Sequence, residues 1–126
     1  MAILVLVAGV CAATACQPPD ADPSHVYIKS WVNPQQVFNG SGYVAHIDKA
    51  EVTVAPWPSG QDGPATPMTF SQATILPGTG VVMPPFVTPD GTTTVRVFFT
   101  LVGAKNPDGS PVTGSAAMAW VARAIQ

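Results

Sequence analysis

The segment TTTVRVFFTLV, residues 92–102, decides the fold class of this chain. Its apolar and polar side chains alternate, with Val95, Val97, Phe99 and Leu101 on one face and Thr94, Arg96, Phe98 and Thr100 on the other. Successive side chains of a β-strand point to opposite faces, and this segment is rich in β-branched and aromatic residues. The pattern therefore predicts a half-buried strand, with Phe99 in the core and Phe98 on the outer face.

Shorter segments with the same period of two lie on both sides of this strand. They are HVYIKSWV (25–32), VFNGSGYVAHI (37–47), KAEVTVA (49–55), PMTFSQATIL (67–76) and SAAMAWVARA (115–124). The last segment could form a helix, since alanine favours one, but Gly114 and the shortness of the run favour a strand. A long loop, GAKNPDGSPVTG (103–114), is expected before it.

Two local features of the sequence predict where these strands turn or are interrupted. The tetrapeptide Asn39-Gly40-Ser41-Gly42 readily reaches positive φ, so it predicts a hairpin turn within 37–47. The alternation slips near Asp48 and Lys49, which predicts a bulge or a turn between two strands.

Two proline-rich segments, 55–67 and 76–91, interrupt the alternating pattern. Proline cannot donate a hydrogen bond to a sheet, so these segments are expected to be loops or edges. About seven short strands with turn signals between them are typical of an all-β fold, an antiparallel β-sandwich. We expect this sandwich to span residues 25–126.

The closing strand, loop and strand resemble the last hairpin of immunoglobulin-like or fibronectin type III-like domains in bacterial surface proteins. This resemblance implies an immunoglobulin-like topology for the sandwich. The Cys…Trp…Cys core of antibody domains is absent, since residues 25–126 contain no cysteine.

Composition excludes one class of partner. The chain has 126 residues, enough for one domain, and only 10% of them are charged. Five Lys and Arg residues are spread along the sequence, and the formal net charge is -2. A nucleic-acid-binding protein would show a basic patch, so no nucleic-acid partner is expected.

The N-terminal segment predicts export. ILVLVAGV, residues 3–10, is too short to span a bilayer as a helix but fits the apolar region of a secretory signal. The small residues Ala13-Thr14-Ala15 suit a signal peptidase, which would remove residues 1–15. The proline-rich segment that follows, 16–24, is expected to be an extended tether.

The sequence Ala13-Thr14-Ala15-Cys16 resembles the lipobox of bacterial lipoproteins. The resemblance implies that the Cys16 thiol carries a diacylglyceryl group and that the membrane is a partner through this anchor. The chain departs from the family in lacking leucine at Ala13 and a basic residue near its start. The alternative is an ordinary signal cut at the same place, which would make the protein secreted rather than held in the periplasm or at the cell surface.

The sequence contains no pattern that predicts catalysis. His25 and His46 have neither metal-ligand spacing nor a nearby cysteine after cleavage. Three carboxylates, Asp62, Asp90 and Asp108, directly precede glycines and predict turns. We therefore expect no enzyme activity, no catalytic residues, no metal and no cofactor.

Aromatic side chains are the remaining candidates for function. Trp57 lies between Pro56 and Pro58, where a restrained backbone would favour binding, although Trp57 could instead close one end of the sandwich. Trp31 and Tyr27 share one face of the first strand and are the other candidates for contact with a partner, while Trp120 is expected in the core.

The sequence is compatible with three functions. The first is a non-catalytic, exported interaction or assembly module of the cell envelope, binding a protein or glycan or assembling with itself. The second is a carbohydrate-binding module with aromatic sugar platforms, which coplanar exposed rings would favour. The third is a small hydrolase, which would require two carboxyl groups facing one cleft.

Overall fold

A computed structural model describes residues 18–123 of the chain. The predicted signal peptide and Cys16 lie outside this range. Within the described range the chain forms eight strands: β1 (Val26–Lys29), β2 (Gln36–Asn39), β3 (Ala45–Pro56), β4 (Thr66–Pro67), β5 (Thr74–Ile75), β6 (Thr79–Val82), β7 (Gly91–Lys105) and β8 (Pro111–Ala122). A single 3-10 turn, Pro23–His25, precedes β1, and no α-helix occurs in the described range.

The strands form two antiparallel sheets, as the alternating sequence predicted. Sheet A has the order β1-β2-β6. Sheet B has the order β4-β3-β7-β8, and β5 also pairs with β3. The all-β class and the arrangement as a sandwich of two sheets are therefore confirmed.

Strand β7 is the centre of sheet B and follows its predicted pattern. Val95, Val97 and Leu101 are fully buried, and Phe99 is 1% exposed. The alternate residues, including Phe98, are only partly buried on the outer face. The strong alternation arises because β7 is paired on both edges, so its side chains can point only into the core or outward.

The predicted bulge lies in β3. Its register against β7 shifts between Ile47 and Lys49. Ile47 pairs with Phe99 and Ala50 with Val97, so both residues face inward although three positions separate them. One long strand, β3, therefore replaces the strand expected at the end of 37–47 and the strand expected at 49–55.

The predicted hairpin at residues 39–42 is wrong. Strand β2 pairs in sheet A and β3 pairs in sheet B, so the chain crosses here from one sheet to the other. Gly40 and Gly42 do not have positive φ. The turn is organised instead by the buried side chain of Asn39, whose Oδ1 accepts from Ser41 N at 2.9 Å and from Ser41 Oγ at 2.7 Å.

The Asn39 side chain also joins distant segments. Its Nδ2 donates to the carbonyl of Tyr43 at 2.7 Å and to that of Ile75 at 2.9 Å. All hydrogen bonds of the amide are made inside the protein, where an unpaired carbonyl would be costly. Asn39 therefore stabilises both the crossover between the sheets and the position of β5 beside the end of β2.

We expect Asn39→Ala to lower the free energy of unfolding by about 2–3 kcal/mol, because it removes the side-chain donor to the buried Ile75 carbonyl and the acceptor of the Ser41 N–H group. Denaturant unfolding would measure the loss. Gln61→Ala, which truncates an exposed amide in a loop, is the control and should change stability by less than about 0.5 kcal/mol. Equal stability of the two variants would contradict a structural role for Asn39.

Two other boundaries differ from expectation. Residues 67–76 do not form one strand, because only β4 and β5, two residues each, pair there. The loop expected at 103–114 is much shorter, since β7 continues to Lys105 and β8 begins at Pro111. The turn closes through a bond from Asn106 N to Ser110 O at 2.8 Å, with Gly109 at φ 90°.

The two sheets differ in length. Each strand of sheet A has four residues, whereas β3, β7 and β8 have 12, 15 and 12. Loops therefore help to cover the inner face of sheet B. In the segment between β6 and β7, Phe86 packs against Trp120 with ring centroids 4.8 Å apart. Trp120 was predicted to lie in the core, and it packs against the core while remaining only partly buried.

Candidate binding surface

The outer face of sheet A carries a group of aromatic side chains. Tyr27 of β1 pairs with Phe38 of β2, which in turn pairs with Gly80 of β6. Alternation places Tyr27 and Phe38 on the side away from the core, because their neighbours in sequence are buried. Gly80 has no side chain to cover Phe38 from the third strand.

Trp31 extends this row beyond the end of β1. Its ring lies 6.0 Å from that of Tyr27, with 17° between the planes. Tyr27 meets Phe38 at 5.6 Å and 49°. We call Tyr27, Trp31 and Phe38 the aromatic patch. Trp31 is 68% exposed, so it is the most accessible ring of the three for a partner.

Polar groups border the aromatic patch. Lys29 Nζ lies 4.1 Å from the centroid of the Phe38 ring, a cation–π contact. Lys29 pairs with Gln36 across β1 and β2, so an ammonium group and an amide follow the aromatic row. Apolar ring faces beside a few hydrogen-bonding groups are typical of ligand sites.

Trp57 lies in a second exposed location, after β3. It is 56% exposed and therefore does not fold into the end of the sandwich. Its backbone N donates to Asp90 O at 3.3 Å, and the Arg123 guanidinium carbon lies 4.0 Å from its ring centroid. The ring is thus held in place while much of it stays open to solvent.

Two clefts lie on either side of Pro84-Pro85-Phe86. The first has a volume of about 590 Å³, and its lining includes Val52, Val54 and the side chain of Phe86. None of its lining residues is charged, and five of them are prolines: Pro56, Pro64, Pro67, Pro84 and Pro85. The second, of about 610 Å³, reaches Trp120 and the turn after β1. Sequence reasoning did not find these clefts, although the proline-rich segments 55–67 and 76–91 form much of their walls.

The titratable groups near the start of the domain form a local cluster. His25 Nδ1 contacts the Asp20 carboxylate, and Nε2 lies 3.6 Å from Asp22 Oδ2. The hydrogen bond with Asp20 raises the pKa of His25 above its ordinary value. Backbone donation from Asp22 lowers the pKa of Asp20, and the Ser24 hydroxyl lowers that of Asp22. All of these side chains are exposed, so they form a solvated cluster rather than a cleft.

The described part of the proline-rich segment contacts the domain. Gly42 N donates to Asp20 O at 2.7 Å, and Ala21 packs against the core. A β-carbon built on Gly114 would lie 2.6 Å from the Pro23 side chain, so Pro23 occupies the space that this glycine leaves. The predicted tether at 16–24 stays a prediction.

Other polar side chains, on the outer face of sheet B and in the turn before β8, form hydrogen bonds with their neighbours. His46 Nδ1 lies 3.1 Å from Asp48 Oδ1, and Thr100 Oγ1 donates to Asp48 Oδ2 at 2.7 Å. Asp108 accepts from Ser110 in the turn before β8, which lowers the pKa of Asp108. Within residues 18–123 no group of three or more metal-ligating side chains converges.

No family model, curated protein or solved structure matches this chain. A helix long and apolar enough to cross a membrane does not occur in the described part of the chain.

Proposed function

We propose that this chain is a non-catalytic binding module of the bacterial cell envelope, exported and anchored through a lipid on Cys16, and that the aromatic patch is its main binding surface. The observation that carries the proposal is the exposure of Trp31, 68%, on a ring already aligned with Tyr27.

The exposed Trp31 ring favours a binding function, because burying it against a partner would remove apolar area from water. A tryptophan left in water keeps a large apolar area available for contact with a partner. Tryptophan and tyrosine are also the residues that dominate the energy of interfaces. Tyr27 is fixed in β1 and packs between Trp31 and Phe38, so less conformational freedom is lost when a ligand binds.

The strand order supports an immunoglobulin-like topology within this proposal. Matched in chain order, β1, β2 and β6 correspond to strands A, B and E of that fold, which share a sheet. Strands β3, β7 and β8 correspond to C, F and G, which share the other. Such sandwiches carry many unrelated activities, so topology supports the fold family and not a particular ligand.

A glycan is the second candidate ligand. The rings of Tyr27 and Trp31 are stacked, with 17° between their planes, and Trp31 is 68% exposed, so part of the Trp31 ring stays open to a sugar ring. Aromatic faces carry partial negative charge and would attract the C–H groups of a sugar ring. Lys29 and Gln36 lie in the next row of the sheet and could donate hydrogen bonds to hydroxyl groups.

We expect Trp31→Ala and Trp57→Ala each to weaken binding to isolated cell envelopes by at least about tenfold, since buried aromatic anchors carry much of an interface's energy. Co-sedimentation of purified Cys16→Ser protein with envelopes would measure this without a contribution from the lipid. Both variants should keep the melting temperature within a few degrees, because both rings are exposed.

Leu76→Ala is the matched control, because Leu76 is an equally exposed apolar side chain, 54%, outside the aromatic patch and away from Trp57. It should bind as the parent does. Repeating the assay with protein-free peptidoglycan separates the candidates, since retention there favours the glycan. Unchanged binding by both tryptophan variants would contradict the proposal.

A further inference from the structure

The segment before β1 lies against glycines of the domain, and we call residues 19–25 the strap. A β-carbon built on Gly40 would lie 2.9 Å from the His25 carbonyl oxygen. One built on Gly42 would lie 2.8 Å from the Pro19 side chain. Neither glycine has positive φ, so the close approach of the strap, rather than the geometry of the turn, accounts for the missing side chains.

A third glycine, in strand β8, receives the middle of the strap. A β-carbon built on Gly114 would lie 2.6 Å from the side chain of Pro23, which begins the 3-10 turn. Asp22 caps this turn, because its Oδ1 accepts from Ser24 N at 2.9 Å. Ala21 packs against the core. The strap therefore contacts both the crossover between the sheets and sheet B.

Backbone hydrogen bonds attach the strap at two points. Gly40 N donates to His25 O at 2.8 Å, and Gly42 N donates to Asp20 O at 2.7 Å. The His25 imidazole also contacts the Asp20 carboxylate, which joins the two ends of the strap. These bonds and the three glycine contacts make the strap part of the folded domain.

The strap begins at one end of the sandwich, and Trp57 lies at the other. Gly42 precedes the first residue of β3, and Trp57 follows the last. The twelve residues of β3 separate the two ends by roughly 35 Å. Strand β7 runs the opposite way between the same ends, since Ala45 pairs with Leu101 and Pro56 with Gly91.

We propose that the strap fixes the orientation of the domain on the membrane, with the crossover at 40–42 towards the lipid and Trp57 away from it. This inference rests on the proposed lipid anchor at Cys16. Three peptide units join Cys16 to Pro19, so their Cα atoms are at most about 11 Å apart. Because Pro19 lies against Gly42, the anchor enters the bilayer beside this end of the sandwich.

The fixed orientation determines which surfaces can meet a partner. A domain on a long flexible linker would sample many orientations. Here the docked strap takes the place of an extended spacer at 16–24, so the domain lies close to the bilayer and Trp57 is held away from it. A partner of Trp57 is therefore an envelope component beyond the lipid surface, and not the bilayer itself.

Hydrogen exchange of the Cys16→Ser protein tests the strap in solution, independently of any lipid. The amides of Gly40 and Gly42 should be protected. Gly42→Ala should displace the strap and lower the protection of the Gly40 amide at least about tenfold, while the core amide of Val97 stays protected. Gly63→Ala is the control, because a β-carbon there would not meet the strap. An unprotected Gly40 amide in the parent, or equal effects of the two alanines, would overturn the proposal.

Paramagnetic lipids test the orientation. Cys11→Ser protein would be coupled through the Cys16 thiol to maleimide lipids in nanodiscs that also contain gadolinium-chelating lipids. This anchor does not depend on lipidation in the cell, so the orientation can fail while the lipoprotein assignment stands, and the reverse. The amide signals of residues 40–42 should lose several-fold more intensity than that of Trp57.

A longer linker is the matched control for the orientation. Inserting about ten Gly and Ser residues after Gln17 should make the losses at 40–42 and at Trp57 similar, because a flexible linker lets the domain rotate. The Gly40 amide should stay protected, since the strap itself is unchanged. Equal losses at the two ends of the parent, a greater loss at Trp57, or no effect of the insertion would overturn the proposed orientation.

Discussion

Phe99→Ala is expected to lower the free energy of unfolding by about 3–5 kcal/mol, the range for an aromatic ring removed from a core. Phe99 is 1% exposed and pairs with Ile47 on one side and Gly114 on the other. A β-carbon built on Gly114 would lie 2.9 Å from Phe99 Cζ, so the ring fills the space above this glycine. Gly114 has no side chain with which to refill the cavity that alanine would leave.

Phe98→Ala is the matched control in the same strand. Its ring lies on the outer face of sheet B, and Lys49 Nζ is 5.1 Å from its centroid. Losing this partly exposed contact should cost about 1 kcal/mol. Denaturant unfolding of both variants would test the difference, and equal losses would mean that strand β7 is packed as tightly on its outer face as on its inner face.

The second large effect concerns location. Cys16→Ser is expected to move the protein from the membrane fraction to the soluble fraction, since serine cannot accept the diacylglyceryl group through a thioether. Stable anchoring requires more than one acyl chain, which a complete bacterial lipoprotein anchor supplies. Fractionation measures the shift, and intact mass of the membrane-bound protein reports cleavage before Cys16 and the added lipid together.

Cys11→Ser is the control for this experiment. Cys11 lies within the predicted signal peptide and would be removed with it, so the variant should remain in the membrane. Wild-type protein already in the soluble fraction would contradict the lipoprotein assignment and favour simple secretion.

The sequence predicted those parts of the fold that local patterning determines. The alternation from Val95 to Leu101 identified β7, and the slip near Asp48 identified the bulge. The hairpin at Asn39 was wrong because a turn's composition does not determine which strands it joins. That choice depends on the bond from Asn39 to the Ile75 carbonyl, 36 residues away, which sequence periodicity cannot reveal.

The candidate binding surface was predictable to a similar extent. Tyr27 and Trp31 could be selected from their shared strand face and Trp57 from its flanking prolines. Phe38 could not be assigned to this surface from the sequence, because its contact with Tyr27 depends on the pairing of β1 with β2. The two clefts were missed for the same reason, since their walls come from segments that meet only in the folded chain.

The connections of strand β7 also determine the order in which sheet B can assemble. A turn of five residues, 106–110, joins β7 to β8, so this hairpin closes a small loop. Pairing β7 with β3 closes a much larger loop, as the bond between Asp48 and Thr100 spans 52 residues. Loop closure costs more entropy as the loop lengthens, and distant contacts slow folding. We therefore expect the C-terminal hairpin to form early, and β3 to dock later on a strand that is already paired along one edge.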